Sequence, residues 1–404
     1  MIQKVCGIDV HKDLLVATIL NPKTQQKQTI TYKNSLQDID QLTNWLKQNK
    51  CKTVAMESTN IYWKPLYLSL EAAKFQVILA NAHQVKAIPG RKTDQRDSEW
   101  LAHLQSANLI KPSYVPPKHL RELRDLTRLR TKYVQARTQN KNRAHKILNS
   151  VNIRLHIVLS NIFGKAGTEI IEGLLAKKPI KTILENTKIK QLKIKSEEIE
   201  SVVQGTLSVN EHFMLKQILK TIKDIDEQLA QIEQRIFELV DKKGMAIVLS
   251  VPGVGRLAGA TILAELGEVS RFGNEKAVAS FGGLAPCVYQ SAGVTTLGHI
   301  TKKGSKMLRW VMVETAHGAV RMDCRFKDMF LRIAAKKGTK VAYVAVARKL
   351  LAVIWHLLVM GEAYVEEGFS KTVVKMRSVV VAGSVSVVDM FETLSDVGSV
   401  VSKG

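Results

Sequence analysis

The chain has 404 residues, of which 60 are Lys or Arg and 36 are Asp or Glu, so its formal net charge is +24. This excess of positive charge disfavours a self-contained metabolic enzyme and favours a polyanionic partner, with nucleic acid as the first expectation. The four cysteines lie far apart without a C-x-x-C pair, so neither a disulfide framework nor a zinc site is predicted.

With 45% hydrophobic residues, a chain of this length can bury the cores of two or three domains. The N-terminus continues directly into a strand-like segment without the apolar region of a signal peptide. The most apolar late run, 350–360, is short and follows Arg348 and Lys349. We therefore expect a soluble, cytoplasmic protein with no membrane partner.

Alternating strand and helix patterns organise the first 112 residues. Two β-rich runs flank the polar turn from His11 to Asp13 and predict a hairpin within 4–20, with Asp9 near the end of its first strand. The elements predicted after it are a helix over 35–48, a strand over 53–57, a helix over 62–73, a strand over 75–80 and a helix after Arg91. This order is typical of an α/β domain, which we predict over residues 1–112.

Four carboxylates stand out in this domain because they follow strands or open a helix. They are Asp9, Glu57, Asp94 and Asp97, and the last two are three residues apart on one face of the predicted helix. Sites in α/β sheets form at strand ends, and converging carboxylates repel one another unless divalent cations neutralise them. Hard oxygen ligands suit Mg²⁺ or Mn²⁺, which can assist phosphoryl transfer.

A purely structural role fits the spacing of these acids equally well. Asp9 and Glu57 can cap strands, while Asp94 and Asp97 can pair with neighbouring basic side chains at the surface. The histidines of this region are not at ligand spacing, and no metal role is predicted for them: His11, His83 and His103.

A basic helix is predicted over 118–151. Between Lys118 and Lys146 there are ten Lys or Arg and only two acidic residues, an imbalance that favours a phosphate-tracking surface over a merely solvated face. The basic residues predicted to bind nucleic acid there are Arg121, Arg124 and Arg128. The following stretch to about residue 210 is lysine-rich and is interpreted as irregular.

A second long helix is predicted over 211–242, with apolar residues spaced by threes and fours. This heptad seam includes Met214, Ile225 and Ile232. It could pair with the helix after Lys118 as an antiparallel arm or mediate dimerisation, and the sequence does not choose between the two. We predict that the protein assembles through this seam. The arm is predicted over 113–245.

The segment from Ser250 contains a Pro-Gly-Val-Gly turn that leads into an apolar helix. This resembles a helix-hairpin-helix motif, in which backbone N–H groups at Gly253 and Gly255 hold a DNA phosphate. The alternative is a tight turn between helices without a ligand.

Ser291 lies between small residues in a predicted loop, where its hydroxyl can be presented to a large substrate. A serine beside glycine is also a common turn residue. A strongly basic helical region follows, whose predicted nucleic-acid ligands are Lys302, Lys303, Lys306 and Arg309. We predict a C-terminal domain over 246–365 and a poorly ordered tail over 366–404.

These motifs occur together in a known family. The sequence resembles insertion-sequence transposases of the DEDD type, which include the Piv/MooV DNA invertases and the bridge-RNA-guided recombinases. The resemblance rests on GIDVHK from Gly7, AMEST from Ala55, KTDQRDSEWLAHL from Lys92, SVPGVGRLAGATILAELG from Ser250, and FGGLAPCVYQSAG with GHITKKGSKMLRW from Phe281 onward. Each piece is short, and their order and joint presence carry the specificity.

The resemblance implies a RuvC-like, RNase H-type N-terminal domain that binds divalent metal through Asp9, Glu57, Asp94 and Asp97. It further implies a helical C-terminal transposase domain in which a serine, best matched by Ser291, attacks DNA. A structured guide RNA that pairs with donor and target DNA is also implied. The resemblance also implies dimers or tetramers whose active sites are shared between subunits. The expected location is the cytosol of a bacterium or archaeon, in association with the nucleoid.

Two other functions remain open from the sequence. A metal-dependent, structure-specific nuclease shares the acidic tetrad and the basic surface, but water attacks the phosphate and Ser291 is only a loop residue. A non-enzymatic DNA- or RNA-binding scaffold uses the basic helices alone. The recombinase hypothesis requires metal at the tetrad to favour loss of the serine proton, because a serine at its free pKa is a poor nucleophile.

Overall fold

The computed structural model describes residues 4–58, 60–80, 94–291 and 294–366, with only the backbone described for 94–96, 290, 291 and 294–297. The chain divides into two compact units, Met1–Pro116 and Pro117–Gly404. The separation of an arm over 113–245 from a C-terminal domain over 246–365 stays a prediction. The predicted tail over 366–404 lies outside the described residues from residue 367 onward.

The first unit is built on a five-stranded mixed sheet. In chain order its strands are β1 (Val5–Val10), β2 (Leu14–Leu20), β3 (Lys27–Lys33), β4 (Thr53–Glu57) and β5 (Gln76–Ala80). The spatial order is β3-β2-β1-β4-β5, with β1, β2 and β3 antiparallel and β1, β4 and β5 parallel. The mixed α/β architecture predicted for this part of the chain is therefore confirmed.

Helices cover both faces of this sheet. They are α1 (Leu36–Gln48), α2 (Trp63–Ala72) and α3 (Asp94–Ser106). Alternate residues of β1, such as Cys6 and Ile8, share a core with apolar residues of α1 and α2. Val5 lies on the opposite face, where it packs with Ala102 of α3. Burial on both faces explains why β1 is apolar along most of its length.

The edge strand β3 was not predicted from the sequence. Its residues, KQTITYK, are polar and mostly exposed or half-buried, so they lack the apolar signal that marks the central strands. Pairing with β2 across the full register from Leu14–Lys33 to Leu20–Lys27 supplies its order. The tertiary pairing partner thus determines this strand more than its own hydrophobic pattern does.

The second unit is helical apart from one two-stranded sheet. Its helices are α4 (Lys118–Ser150), α5 (Lys165–Leu175), α6 (Ile180–Asn186), α7 (Lys190–Ile194), α8 (Ser196–Val202), α9 (Val209–Leu239), α10 (Lys242–Leu249), α11 (Arg256–Leu266), α12 (Glu275–Phe281), α13 (Lys306–Ala319), α14 (Arg325–Lys337) and α15 (Thr339–Met360). The sheet consists of β6 (Pro286–Ser291) and β7 (Val294–Ile300). The predicted helical character of the C-terminal part is confirmed.

The two long helices α4 and α9 pack against each other in opposite directions. Arg130 contacts Glu233, and Arg137 contacts Asp226, each pair with a 2.7 Å N···O distance, so residue numbers rise along one helix as they fall along the other. Ile225 is buried, and Ile232 packs against the core. The apolar seam is therefore used within the chain, in the antiparallel arrangement that the sequence left as one of two alternatives.

Two details of this region differ from the predictions. Met214 was assigned to the seam, but it is exposed and its neighbour Leu215 is buried instead. The stretch over 152–210 is not irregular: its short helices α5 to α8 form a small core with the end of α4. Three of these helices, α6 to α8, have only five to seven residues and give no clear periodic signal, so their order depends on packing together.

One helix among the described residues, α15, is long and apolar enough to cross a membrane by length and composition. Its buried residues include Val346, Leu350 and Ile354, which belong to the core shared by α10 to α14. A core helix of a globular domain passes the same length and composition test.

Candidate functional site

Asp9 and Glu57 lie side by side at the carboxyl ends of two parallel strands. Ile8 of β1 pairs with Met56 of β4, and the next residue of each strand is the acid. Because these acids follow neighbouring paired positions, they belong to the same face of the sheet. Asp9 is only 6% exposed, and Glu57 is half-buried. The predicted convergence of these two carboxylates is thus present in the first unit.

Helix α3 crosses this same face with its first turn toward the two acids. A Cβ on Gly7 would lie 2.2 Å from the backbone oxygen of Ser98, so only glycine admits this close approach. Ala102, one turn later, packs beside Val5, so α3 runs antiparallel to β1. Asp9 lies roughly 7 Å beyond Gly7 along the strand, and the backbone of Asp94 roughly 6 Å before Ser98 along the helix.

The start of α3 is therefore level with Asp9 and Glu57. Asp94 is the first residue of α3, and its side chain lies outside the described residues; Asp97 is half-buried one turn later. Among the described side chains, no group of three or more His, Cys, Asp or Glu residues lies close enough to hold a metal ion. The backbone thus places Asp9, Glu57 and the first turn of α3 at one edge of the sheet, and the grouping of the four acids stays a prediction.

His11 is a site residue that the sequence interpretation missed. Its Nε2 lies 2.8 Å from Oδ2 of Asp9, and its backbone oxygen accepts a 2.9 Å hydrogen bond from Nδ2 of Asn34. The spacing of Asp9 and His11 gave no metal-ligand pattern, which is why no role was predicted. The tight turn between β1 and β2 folds His11 back onto the carboxylate and so orients Asp9.

The second candidate element is the hairpin of β6 and β7. Ser291 is the last residue of β6 and pairs with Val294 of β7; residues 292 and 293 lie outside the described part of the chain. The sequence predicted a loop at Ser291; the structure corrects this to a strand end. The apolar and β-branched residues of β6 and β7 favour strands, whereas the small residues that suggested a loop are only Ala292 and Gly293 of the sequence.

Close backbone contacts join the foot of this hairpin to the basic loop before α13. The N–H of Lys302 donates to the oxygen of Gly283 at 3.3 Å, and the N–H of Ser305 donates to the oxygen of Phe281 at 2.9 Å. Gly283 has a positive φ, and a Cβ on Gly304 would lie 2.2 Å from the oxygen of Phe281. Glycine is needed at both positions for the two segments to meet.

The predicted basic ligands of this loop differ in their surroundings. The exposed ones are Lys302, Lys303 and Lys306. Arg309 is half-buried. Its Nη1 donates to the backbone oxygens of Gly282 at 3.4 Å and of Lys302 at 3.2 Å. The three lysines are thus free to face a polyanion, while Arg309 holds the loop to the hairpin foot.

A buried carboxylate, Glu265 of α11, joins three elements of the second unit. It is 1% exposed, and Arg128 of α4 donates to both of its oxygens at 2.8 and 3.1 Å. Arg124 donates to the backbone oxygens of Ala264 and Glu265. The hydroxyl of Ser305, at the start of α13, donates to Glu265 at 2.8 Å. The carboxylate is therefore satisfied from α4 and from the basic loop at once.

Two of the three arginines predicted to form a basic surface on α4 make contacts inside the protein. The guanidinium groups of Arg124 and Arg128 bind Glu265 or its backbone, whereas Arg121 is half-buried one turn earlier. Their role in nucleic-acid binding stays a prediction. No local sequence pattern indicates this pairing, because Glu265 is 137 residues from Arg128.

Replacing Glu265 by glutamine should lower the free energy of unfolding by about 2–3 kcal/mol. Loss of one partner from a buried ion pair leaves the other charge uncompensated. Because the Arg128 side chain is half-exposed, water partly solvates its charge, and the loss of stability is smaller than for a fully buried pair. Urea unfolding measures the change. Glu238→Gln, which alters an exposed pair with Arg235, should leave the midpoint unchanged. Equal midpoints for the two variants would contradict a stabilising role for Glu265.

The glycine turn between α10 and α11 has one buried contact and one open position. Gly253 has a positive φ, and a Cβ there would lie 2.3 Å from the backbone nitrogen of Ala319 in α13. Gly255 is exposed, and nothing lies within 4 Å of the corresponding position. Packing against α13 is thus sufficient to require glycine at 253, and Gly255 is the more open of the two predicted phosphate contacts.

The cysteines supply no second reactive centre in the described part of the first unit. All four cysteines of the chain are free. Burial raises the pKa of the Cys6 thiol, and it raises the pKa of Cys51 to about 11. Both therefore remain protonated thiols near neutral pH.

Comparison with protein families identifies the class of protein. Residues 6–153 match the family "DEDD_Tnp_IS110: Transposase", and residues 245–330 match "Transposase IS116/IS110/IS902 family". Together the two matches cover more than half of the chain. The chain is a transposase, and it belongs to the IS116/IS110/IS902 family. Membership implies DNA cleavage and strand transfer, with DNA as partner.

Individual relatives agree with this assignment. A "Probable family 20 transposase" of Pseudomonas aeruginosa is 23% identical over 287 residues, which cover 69% of this chain and 75% of the relative. The "Transposase for insertion sequence element IS1111A" of Coxiella burnetii is 31% identical over 121 residues, covering 29% of this chain and 33% of the relative. An insertion element IS116 protein of Streptomyces clavuligerus is 23% identical, covering 70% of this chain and 78% of the relative.

Among solved structures, the chain matches one described as "T. thermophilus RuvC in complex with Holliday junction substrate". The match has 14% identity and a TM-score of 0.22, and it covers 28% of this chain and 99% of that chain.

Proposed function

We propose that this transposase is a DNA recombinase that cuts and rejoins strands through a covalent bond between Ser291 and a DNA phosphate. The acids Asp9, Glu57, Asp94 and Asp97 form its metal-binding centre. The single observation that carries the proposal is the placement of Asp9 and Glu57 on one sheet face, with the first turn of α3 directed at them. Two acids at neighbouring strand ends on a largely covered face are a typical arrangement for a functional site.

The acidic edge fits a hard divalent cation. Carboxylate oxygens are the ligands that Mg²⁺ and Mn²⁺ prefer, and Asp9 and Glu57 supply them from neighbouring strand positions. Such an ion, when bound, polarises a phosphate and stabilises negative charge on its oxygens. His11 orients the Asp9 carboxylate through the 2.8 Å contact. Asp94 and Asp97 would complete the ligand set from the first turn of α3.

Ser291 supplies the nucleophile in this proposal. A bond forms between its Oγ and the phosphorus, the bond from phosphorus to the leaving strand's oxygen breaks, and the serine proton ends on that oxygen. The number of phosphate ester bonds is unchanged, so a hydroxyl of a second strand can reverse the step and release Ser291. Strand exchange therefore needs no external energy source.

The basic surface is proposed to hold nucleic acid without reading its sequence. Exposed Lys302, Lys303 and Lys306 carry no acidic partner among the described side chains, and they neutralise backbone phosphates. The helix-hairpin-helix character of the turn at Gly253 and Gly255, and the coiled-coil character of α4 and α9, belong to this proposal. Arg121, Arg124, Arg128 and Arg309 are proposed as further contacts or supports of that surface.

Target choice is proposed to come from a structured guide RNA that pairs with donor and target DNA, and catalysis from a homodimer or homotetramer. The support for both is the resemblance to bridge-RNA-guided members of the family. Sequencing of the RNA that copurifies with the protein tests the first, and light scattering the second. A single defined RNA supports the guide hypothesis, and random fragments oppose it.

Trapping of a protein–DNA adduct tests the chemistry itself. The protein is incubated with Mg²⁺, its guide RNA and labelled DNA carrying the target, then denatured before electrophoresis. We expect labelled DNA to migrate with the protein and a DNA fragment to appear on the serine of the Ser291 peptide. A metal-dependent nuclease that uses water cleaves the same DNA without any adduct. Cleavage with no adduct would therefore support the nuclease and reject the serine mechanism.

A further inference from the structure

The hairpin of β6 and β7 exposes side chains on both of its faces. Tyr289 is 65% exposed and its neighbour Val288 is 59% exposed, although both lie in the middle of a strand. The two strands pair with each other and with no third strand in the described part of the chain. A two-stranded hairpin is marginally stable alone, so the large exposed ring of Tyr289 indicates that a bound partner covers the face on which it lies.

The ring of Tyr289 is supported from one side by a glycine. Tyr289 pairs with Thr296, and the ring extends diagonally over Gly298, two residues further along β7. A Cβ on Gly298 would lie 2.8 Å from Cε2 of Tyr289, so any other residue would displace the ring. The absence of a side chain at this position lets the ring lie against the strand while its other side stays exposed to solvent.

The charge around the hairpin identifies a polyanion as the partner. Between Pro286 and Arg309 the sequence contains no Asp or Glu and four Lys or Arg. Lys302 and Lys303 lie at the foot of the hairpin, where backbone contacts fix them to residues 281–285. The same basic segment of a second copy would be repelled from this surface, whereas a nucleic-acid strand is attracted to it.

We infer that Tyr289 stacks on a nucleobase next to the phosphate that Ser291 attacks. An exposed aromatic ring on a basic surface is the arrangement by which proteins bind unpaired bases, because every base offers a π-face. Tyr289 is two residues before Ser291 in the same strand, so a base on its ring holds the adjoining backbone near the hairpin tip. The inference rests on the proposed function for the role of Ser291. Tyr289 is thus a positioning residue for the scissile phosphate.

Photocross-linking of the full-length protein tests this contact. The probe is a single-stranded oligodeoxynucleotide with 5-iododeoxyuridine in place of thymidine, irradiated in complex with the protein and followed by peptide mapping. We expect the adduct on the peptide that contains Tyr289, and at the same position in the Tyr289→Phe variant, which keeps an aromatic ring. Tyr289→Leu should lose the adduct and bind the oligonucleotide about 5- to 100-fold more weakly.

Two matched variants control for non-specific effects. Trp310 is a second exposed aromatic residue of the basic region, 49% exposed on α13, and Trp310→Leu should retain the adduct at residue 289. Val288→Ala alters the opposite hairpin face and should bind like the wild type. Circular dichroism and urea unfolding establish that Tyr289→Leu is folded. The cross-link to the wild-type protein tests the contact even if Tyr289→Leu fails to fold.

The outcomes separate this inference from the proposed chemistry. A wild-type cross-link at Tyr289 without any serine adduct on DNA would support the base contact and reject the role of Ser291. A serine adduct without a cross-link at Tyr289, together with unchanged binding by Tyr289→Leu, would overturn the base contact alone. A change in oligomeric mass for Tyr289→Leu with unchanged oligonucleotide binding would also overturn it, because the ring would then pack against a second copy.

Discussion

Replacing Ser291 by alanine is expected to abolish the covalent protein–DNA adduct and to lower strand transfer by about 10³-fold or more, the scale on which removal of a catalytic nucleophile acts. Alanine removes only the hydroxyl at the end of β6, so the backbone pairing of residue 291 with Val294 remains. DNA binding should therefore stay near the wild-type level. Adduct formation is measured on denaturing gels, and binding by filter retention.

Ser305→Ala is the matched control for this experiment. Ser305 is another serine of the basic region, but its hydroxyl donates to Glu265 and accepts from the N–H of Leu308 as the N-cap of α13. Its loss should cost about 1 kcal/mol of stability or somewhat more and leave the adduct in place. An adduct that survives Ser291→Ala and disappears in Ser305→Ala would reassign the nucleophile.

Replacing Asp9 by asparagine should reduce DNA cleavage by about 10²–10³-fold, which is the typical cost of removing one group that stabilises developing charge. The amide has nearly the same shape as the carboxylate and can keep the contact with Nε2 of His11, so β1 should stay folded. It lacks the negative charge that attracts Mg²⁺ or Mn²⁺. Cleavage is measured over a series of metal concentrations, and EDTA should abolish it in the wild type.

Asp13→Asn provides the comparison for this prediction. Asp13 is an exposed residue directly before β2, only four residues from Asp9. Its replacement removes the same charge from the same hairpin and should leave cleavage unchanged. Full cleavage by Asp9→Asn would show that Asp9 is not a required metal ligand. Equal losses in the two variants would show that net charge or stability matters instead. Glu57→Gln should behave like Asp9→Asn because the two acids share one sheet edge.

The first unit shows how much local sequence patterns can predict. The apolar runs of β1, β2 and β4 are strong signals because these strands are buried. Asp9 and Glu57 could be placed near one another because parallel strands end at the same sheet edge. The polar edge strand β3 gave no such signal. The contact between His11 and Asp9 was missed because it depends on how a turn folds back.

The second unit shows why other features could not be predicted. The heptad seam of α9 was visible in the sequence, but its pattern was equally consistent with pairing within the chain and with dimerisation. The structure shows that α4 covers the seam. The helices α6 to α8, between residues 180 and 202, have too few turns for a periodic signal. Ser291 was expected in a loop because its neighbours are small, whereas cross-strand pairing places it at a strand end.

The sequence by itself determined the class of each half, the positions of the acidic residues and the preference for a polyanion, because hydrophobic period, residue chemistry and net charge are local or additive properties. Only the tertiary structure decided that Arg124 and Arg128 surround a buried Glu265, that Gly7 admits α3 onto the acidic face, and that Tyr289 stays exposed over Gly298. Each of these depends on side chains and backbone segments distant in sequence, whose approach is fixed by packing.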